Sequence, residues 1–292
     1  MASKFDRSAE SLGNILIMEH VNLLIPDQAP ATLFYVVGLQ LTRDPYLMVG
    51  LDNMWINVGR SQVHLPRRDT APQVLRGTVG IVVPNLDEVE DTLTSIAYRL
   101  GDTKFRFKRN KTSIDAVCPW GNKFRIHGPG KEFGEIQIGV AYVELNAPPG
   151  SADGIARFYR EILEANAKIT KRRGKPCASV TTGASQFLYF IETKDTQPDY
   201  DGHHVAIYIA DFEGPYQKLL KRGLITMESD AYEWRFIDIV DPKSNSNKVL
   251  FQIEHEVRSA THPLYGRPLV NRNPAQSNRP YRRGQDHYLG RI

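Results

Sequence analysis

The side chains best suited to chemistry lie in segments with the two-residue alternation of β-strands, where every second residue faces the same side. In 204–209 (HVAIYI) the apolar Val205, Ile207 and Ile209 call for a packed face, so His204, Ala206 and Tyr208 share the other. By the same rule His20 goes with Asn22, Thr78 with Gly80, and Tyr142 with Glu144 and Asn146. Near later strand ends Gln62 goes with His64, Arg125 with His127, and Gln252 with Glu254, while His255 points the other way. One histidine and two oxygen donors would suit Fe(II), Mn(II) or Zn(II) and leave positions open for substrate. Tyr208 or a neighbouring histidine can give or take a proton. Arg258, just past this group, has the planar fork that suits a carboxylate.

These residues sit in elements that repeat. The segment 20–26 (HVNLLIP), followed by Phe34-Tyr35, recurs as 142–148 (YVELNAP) followed by Phe158-Tyr159, offset by 122 and then 124 residues. Ser61-Gln62 returns as Ser185-Gln186 at 124, 78–86 as 204–212 at 126, and 124–127 (FRIH) as 251–254 (FQIE) at 127. A slowly growing offset is what loop insertions between equivalent elements produce, so the chain reads as two homologous domains, 15–128 and 138–257. An extension, 1–14, precedes them, the Gly-rich 129–137 links them, and 258–292 forms a C-terminal arm. Each domain is itself a pair of similar halves: an alternating strand, a polar cap, a helix of roughly ten to fifteen residues and further strands. Asn85, Ser151 and Asp211 are expected to cap helices, and Gly101 and Gly223 to end two of them.

The opening strand with FY-x-x-x-L, the 201–209 run DGHHVAIYI and the strand-end glutamate of 251–254, in this order and fourfold recurrence, resemble the vicinal oxygen chelate superfamily of glyoxalases, bleomycin-resistance proteins and extradiol dioxygenases. The resemblance covers residues 15–257. It implies an α+β fold in which βαβββ modules pair into curled mixed sheets around a cup, with a divalent metal in the cup binding two substrate oxygens. Four modules in one chain look most like the extradiol-dioxygenase arrangement. On that template the second cup would offer His204, Glu254 and either Glu144 or Tyr142 as ligands, with Tyr208, His204 and Glu254 in catalysis and Asn146, Gln252 and Arg258 on the substrate. Tyr142 stands where an extradiol dioxygenase would have histidine, and the long turn 243–248 leaves room for Glu256 or Gln252 to sit deeper than Glu254. The first cup offers a competing set, His20 and His64, with His127 and a cation-repelling Arg125 nearby. The implied function is a metal-dependent enzyme for a small oxygen-rich, aromatic or anionic molecule, either a ring-cleaving dioxygenase or a lyase or isomerase. The other reading is a metal-free binder that sequesters a small molecule.

Composition narrows the field. With 41% hydrophobic and 24% charged residues the chain is an ordinary globular one. It has no apolar run of membrane-spanning length and no signal-like start, so a cytoplasmic protein is expected. Cys118 and Cys177 lack metal or disulfide spacing and read as reduced structural thiols. The formal charge of +4 is uneven: 258–292 holds seven arginines and one aspartate, so the body is slightly acidic. That Pro-rich arm has no base-reading motif, which argues against nucleic acid; it should lie extended over the body or a neighbouring subunit and leaves a homodimer open. The tryptophans Trp55, Trp120 and Trp234 lie on or beside predicted strands; two could line cups, but core packing is the default reading. Phosphate-loop, dinucleotide, zinc-protease and serine-hydrolase motifs are missing from the sequence.

Overall fold

Four times the chain lays down a strand that is apolar on one face, turns into an amphipathic helix to cover that face, and returns in an antiparallel strand series. The computed structural model describes residues 7–47, 52–244 and 246–272. The first module is β1 (Ile15–Asn22), α1 (Gln28–Ala31, running on as a π-helical turn Thr32–Gly38), β2 (Thr42–Arg43), β3 (Asn53–Val58) and β4 (Ser61–Pro66). The second is β5 (Gly77–Val82), α2 (Leu86–Ile96), β6 (Arg106–Arg109), β7 (Ser113–Val117) and β8 (Lys123–His127). The third is β9 (Gly139–Ala147), α3 (Ala152–Glu161), β10 (Ala167–Arg172), β11 (Lys175–Gly183) and β12 (Gln186–Glu192). The fourth is β13 (His204–Ile209), α4 (Glu213–Lys221), β14 (Ile225–Asp230), β15 (Glu233–Val240) and β16 (Val249–Ser259). Asn85 caps α2 through the amides of Asp87 and Glu88, and Asp211 accepts from Gly214, but Ser151 spends its hydroxyl on the Pro148 carbonyl and caps nothing.

The modules form two mixed eight-stranded sheets, ordered β14-β15-β16-β13-β1-β4-β3-β2 and β10-β11-β12-β9-β5-β8-β7-β6. Modules one and four therefore share the first sheet, and modules two and three share the second. This corrects the expectation that 15–128 and 138–257 each build their own cup. The short connection between β8 and β9 lets β9 return antiparallel beside β5, which leaves β1 to pair antiparallel with β13 from the far end of the chain.

The helices fill the space between the sheets. Phe34 and Tyr35 of α1 meet Phe124 of β8, while α3 sets Phe158 against Phe236 of β15 and Tyr159 against Phe190 of β12. His255 belongs to this packing and not to a site: its ring stacks on Phe236 and its Nε2 is 2.6 Å from the Tyr159 hydroxyl. Trp120 and Trp234 are core residues, and Cys118 and Cys177 are buried free thiols. No helix among the described residues is long and apolar enough to cross a membrane. The C-terminal segment is described as far as Arg272, and it runs over the first module: Asn271 exchanges hydrogen bonds with Gly59, and Arg267 reaches Asp44. Arg279, Arg282, Arg283 and Arg291 lie outside the described residues.

Where the sheets meet, the Gln186 amide accepts from Met18 N and donates towards the Met18 carbonyl, the Val140 carbonyl and the Ser61 hydroxyl, all buried. Gln186→Ala strands these groups, so the urea midpoint should fall by the equivalent of about 1–3 kcal/mol with an unchanged slope.

Candidate metal centre

Ala206 is the low point of the first sheet's helix-free face. On the ladder it lies opposite His20 of β1 on one side and Glu256 of β16 on the other, so only a methyl group separates two large polar residues. His204, two residues earlier on β13, lies between Asn22 and Glu254. One ligand atom each from His20, His204 and Glu256 falls within 4.8 Å of the other two, and all three residues are buried. Glu256 Oε2 is 3.3 Å from His204 Nε2 and 4.0 Å from His20 Nε2. A metal with bonds of about 2.1 Å requires ligand atoms about 3.0–3.4 Å apart, so the Glu256–His204 edge already fits, the Glu256–His20 edge must close by several tenths of an ångström, and the two imidazole nitrogens, within 4.8 Å of each other, must meet the same spacing.

An unmet hydrogen bond marks the same spot. His20 Nε2 is buried without a hydrogen-bond partner, a condition that native proteins rarely tolerate, and the one polar atom near His204 Nε2 is Glu256 Oε2 at 3.3 Å. The other ring nitrogens are engaged: His20 Nδ1 lies 2.8 Å from Glu19 Oε2, and His204 Nδ1 lies 3.1 Å from Glu254 Oε2. A carboxylate on Nδ1 fixes the tautomer that leaves the Nε2 lone pair for a cation. The residues present fit a divalent metal.

Glu19 reaches this position through a backbone irregularity. The β1–β13 register slips between Met18 and His20, so Glu19 is an extra residue and points into the same site as its neighbour. Glu254 takes part through His204 Nδ1, whereas Glu256 faces the Nε2 atoms. Tyr200, in the loop before β13, holds Glu254 in place by accepting its backbone N–H and donating to the His203 carbonyl.

Two arginines knit the acids together. Arg235 lies 2.6 Å from Glu256 Oε2 and 3.1 Å from Glu254 Oε2; Arg258 lies 2.7 Å from Glu19 and 3.2 Å from Glu233, and also packs against Glu256 Oε1. Four carboxylates (Glu19, Glu233, Glu254 and Glu256) thus meet two guanidiniums, leaving two negative charges while both imidazoles are neutral. A buried charge without compensation is costly, and a divalent cation would cancel this one. Burial favours protonating Glu256, but the His204 hydrogen bond and the charges of His20 and Arg258 outweigh it and hold the carboxyl well below its usual range.

The remaining expected residues divide between the two sheets. His64 stands beside His20 with ring centroids 5.6 Å apart, stacked at 3.6 Å on Trp55, and burial pushes its pKa down to about 2. Tyr208 is on the same face, its hydroxyl 3.3 Å from Glu19 and 3.4 Å from His262, and burial raises its pKa so that it keeps its proton. Arg258 is locked into ion pairs, and Gln252 bonds Asp238 away from the centre. Tyr142, Glu144 and Asn146 are in the second sheet and cannot join His204, a correction that follows from the module pairing. There the Tyr142 ring lies across Gly80, where an added Cβ would come within 2.2 Å of it, and its hydroxyl bonds His127. Burial pushes the Tyr142 pKa up to about 12, and Glu144 gives its two oxygens to Arg172 and Arg173.

No protein-family model and no curated relative matches the sequence. Solved structures do. A protein of Bacillus subtilis subsp. subtilis, provisionally named a dioxygenase, superposes with a TM-score of 0.57 at 14% identity, over 84% of this chain and 86% of its own. Glyoxalase I from Zea mays superposes with a TM-score of 0.55 at 13% identity, over 84% and 92%. The fold is the glyoxalase-type α+β fold of these structures. In this chain the fold brings β1 and β13 side by side, and with them His20 and His204.

For His204, burial opposes the charged ring, but the hydrogen bonds and charges of Glu254 and Glu256 win and raise its pKa above 6.5. A raised folded-state pKa stabilises the metal-free protein below pH 6.5, and the contribution fades as pH rises through the folded-state midpoint. NMR titration of metal-free protein should give His204 a midpoint above 6.5 that falls in Glu254→Gln, whereas His64 should stay neutral through the acid range.

Proposed function

We propose that this chain is a metal-dependent enzyme of the vicinal oxygen chelate type, with Fe(II), Mn(II) or Zn(II) held by His20, His204 and Glu256. The observation that carries the reading is the convergence of two buried imidazole Nε2 atoms, each backed by a carboxylate at Nδ1, on the buried Glu256 carboxylate. His20, the first-cup candidate of the sequence, takes the place expected for Glu144 or Tyr142, and Glu256, the alternative to Glu254, takes the place expected for Glu254.

When bound, the metal would supply Lewis-acid polarisation of two adjacent oxygens on a small, oxygen-rich substrate. The chain's own groups supply the rest. Glu19 and Glu254 hold the two imidazoles in orientation through Nδ1. Asn22, buried between His64 and His204 on the ladder with an unpartnered Oδ1, can accept a hydrogen bond from substrate. Tyr208 keeps the proton at its hydroxyl and can donate a hydrogen bond, while the neutral His64 can accept one. The Trp55 and Tyr265 rings offer flat apolar surface beside these groups. Ring-cleaving oxygenation and non-redox lyase or isomerase chemistry both suit this set.

A second reading has its own support. Arg235 and Arg258 already neutralise Glu256, as they would in a metal-free protein that binds its ligand by hydrogen bonds and stacking.

Elemental analysis separates the two. The purified protein should carry one equivalent of iron, manganese or zinc that is lost in His204→Ala and Glu256→Ala; a metal-free protein that refuses these ions would leave the binder. Metal affinity should rise with pH through the elevated His204 pKa, because the ring must shed its proton to ligate. Glu19→Gln should weaken affinity by about 10–100-fold through loss of the support on His20. Oxygen consumption with a catechol then tells dioxygenase from non-redox chemistry.

A further inference from the structure

The same scaffold is built twice with opposite electrostatic sign. On the first sheet Ala206 lies between His20 and Glu256; at the matching place on the second, Gly80 lies between Tyr142 and Arg125. The aromatic ring fills the space a cation would need, and an arginine stands in the position of the acid ligand. Around that point six basic side chains, Arg106, Lys108, Lys123, Arg125, Arg172 and Arg173, face two acids, Asp115 and Glu144.

These residues line an open cleft rather than a flat surface. It has a volume of about 560 Å3, and Thr78, Asp115, Asn146 and five of the six basic residues (all but Arg172) contribute to its wall. The ladder explains why they share it. Arg125 pairs with Asp115, which pairs with Lys108, while Lys123 pairs with Val117, which pairs with Arg106, so one face of three adjacent strands carries four cations. Asp115 holds Arg125 by its Nε at 2.7 Å, fixing the guanidinium while its Nη groups have no partner among the described residues. Lys108 and Lys123 likewise have no ion-pair partner among the described residues. Like charges gathered in a concavity raise the local potential and concentrate anions, and a guanidinium held at Nε presents its remaining N–H groups in a fixed fork to a planar or tetrahedral oxyanion.

We propose that the helix-free face of the second sheet is a binding site for a small oxyanion, a phosphate- or carboxylate-bearing molecule, with Arg125 as the oriented contact and Lys108 and Lys123 supplying further charge. This site is separate from the metal centre and does not depend on it.

Calorimetric titration of the full chain with inorganic phosphate and, separately, succinate tests it. One equivalent of at least one anion should bind and weaken with added salt. Lys108→Glu/Lys123→Glu, which changes two exposed side chains, should lose at least about tenfold in affinity with an unchanged melting temperature. His204→Ala should bind the anion as the parent does, which separates this cleft from any anion bound through a metal. Binding of phosphate alone, succinate alone or both supports the site and names the ligand class. Failure of both anions at millimolar concentration, or undiminished binding by the double variant, overturns the proposal.

Discussion

Glu256 lies deep in the first sheet with two imidazole nitrogens on one side and two guanidiniums on the other, and the arrangement of that face follows from keeping its carboxylate ionised. Burial alone would protonate it. Keeping it charged takes Arg235 from β15, Arg258 from its own strand and the hydrogen bond of His204 from β13. Those groups bring their own requirements: Arg258 recruits Glu19 and Glu233, and Arg235 recruits Glu254. The result is a closed network of buried charge whose unmet remainder is negative and centred on the atoms able to grip a cation.

Duplication supplied the scaffold for two such faces, and their chemistry diverged through a few substitutions at equivalent ladder positions. Where β1 carries His20 and the extra residue Glu19, β9 carries Tyr142 and Ala141, and Ala141 sits at the same register slip. Where β13 carries Ala206, β5 carries Gly80, which has no side chain to keep the tyrosine ring upright, so the ring lies down over the backbone. A methyl group more or less at the floor thus helps decide whether the space above stays open or is filled by an aromatic side chain.

Much of this was legible in the residues. The fourfold recurrence of strand, cap and helix predicted the modules, and alternation put His20, His204 and Tyr208 on the face away from the core and His255 within it, against Tyr159 and Phe236. Alternation failed at Glu19 because a bulge breaks the period of two, and strand sequence carries no distinct mark of one. The depth of the glutamate was open in the sequence for a related reason. Matching Phe251 to Phe124 put Gln252 in the place of Arg125, but β16 runs further, and Glu256 is the residue opposite Ala206, four positions on. An even displacement keeps the face and changes the depth.

The sequence by itself determined the local elements and which side chains each strand turns from the core, because both depend on near neighbours through propensity, capping and periodicity. Only the tertiary structure decided which strands became neighbours. Pairing β1 with β13 rather than with β5 is a choice between similar edges settled by connection lengths and helix packing over the whole chain. That choice unites His20 with His204 and sends Tyr142 and Glu144 to a sheet of the opposite charge.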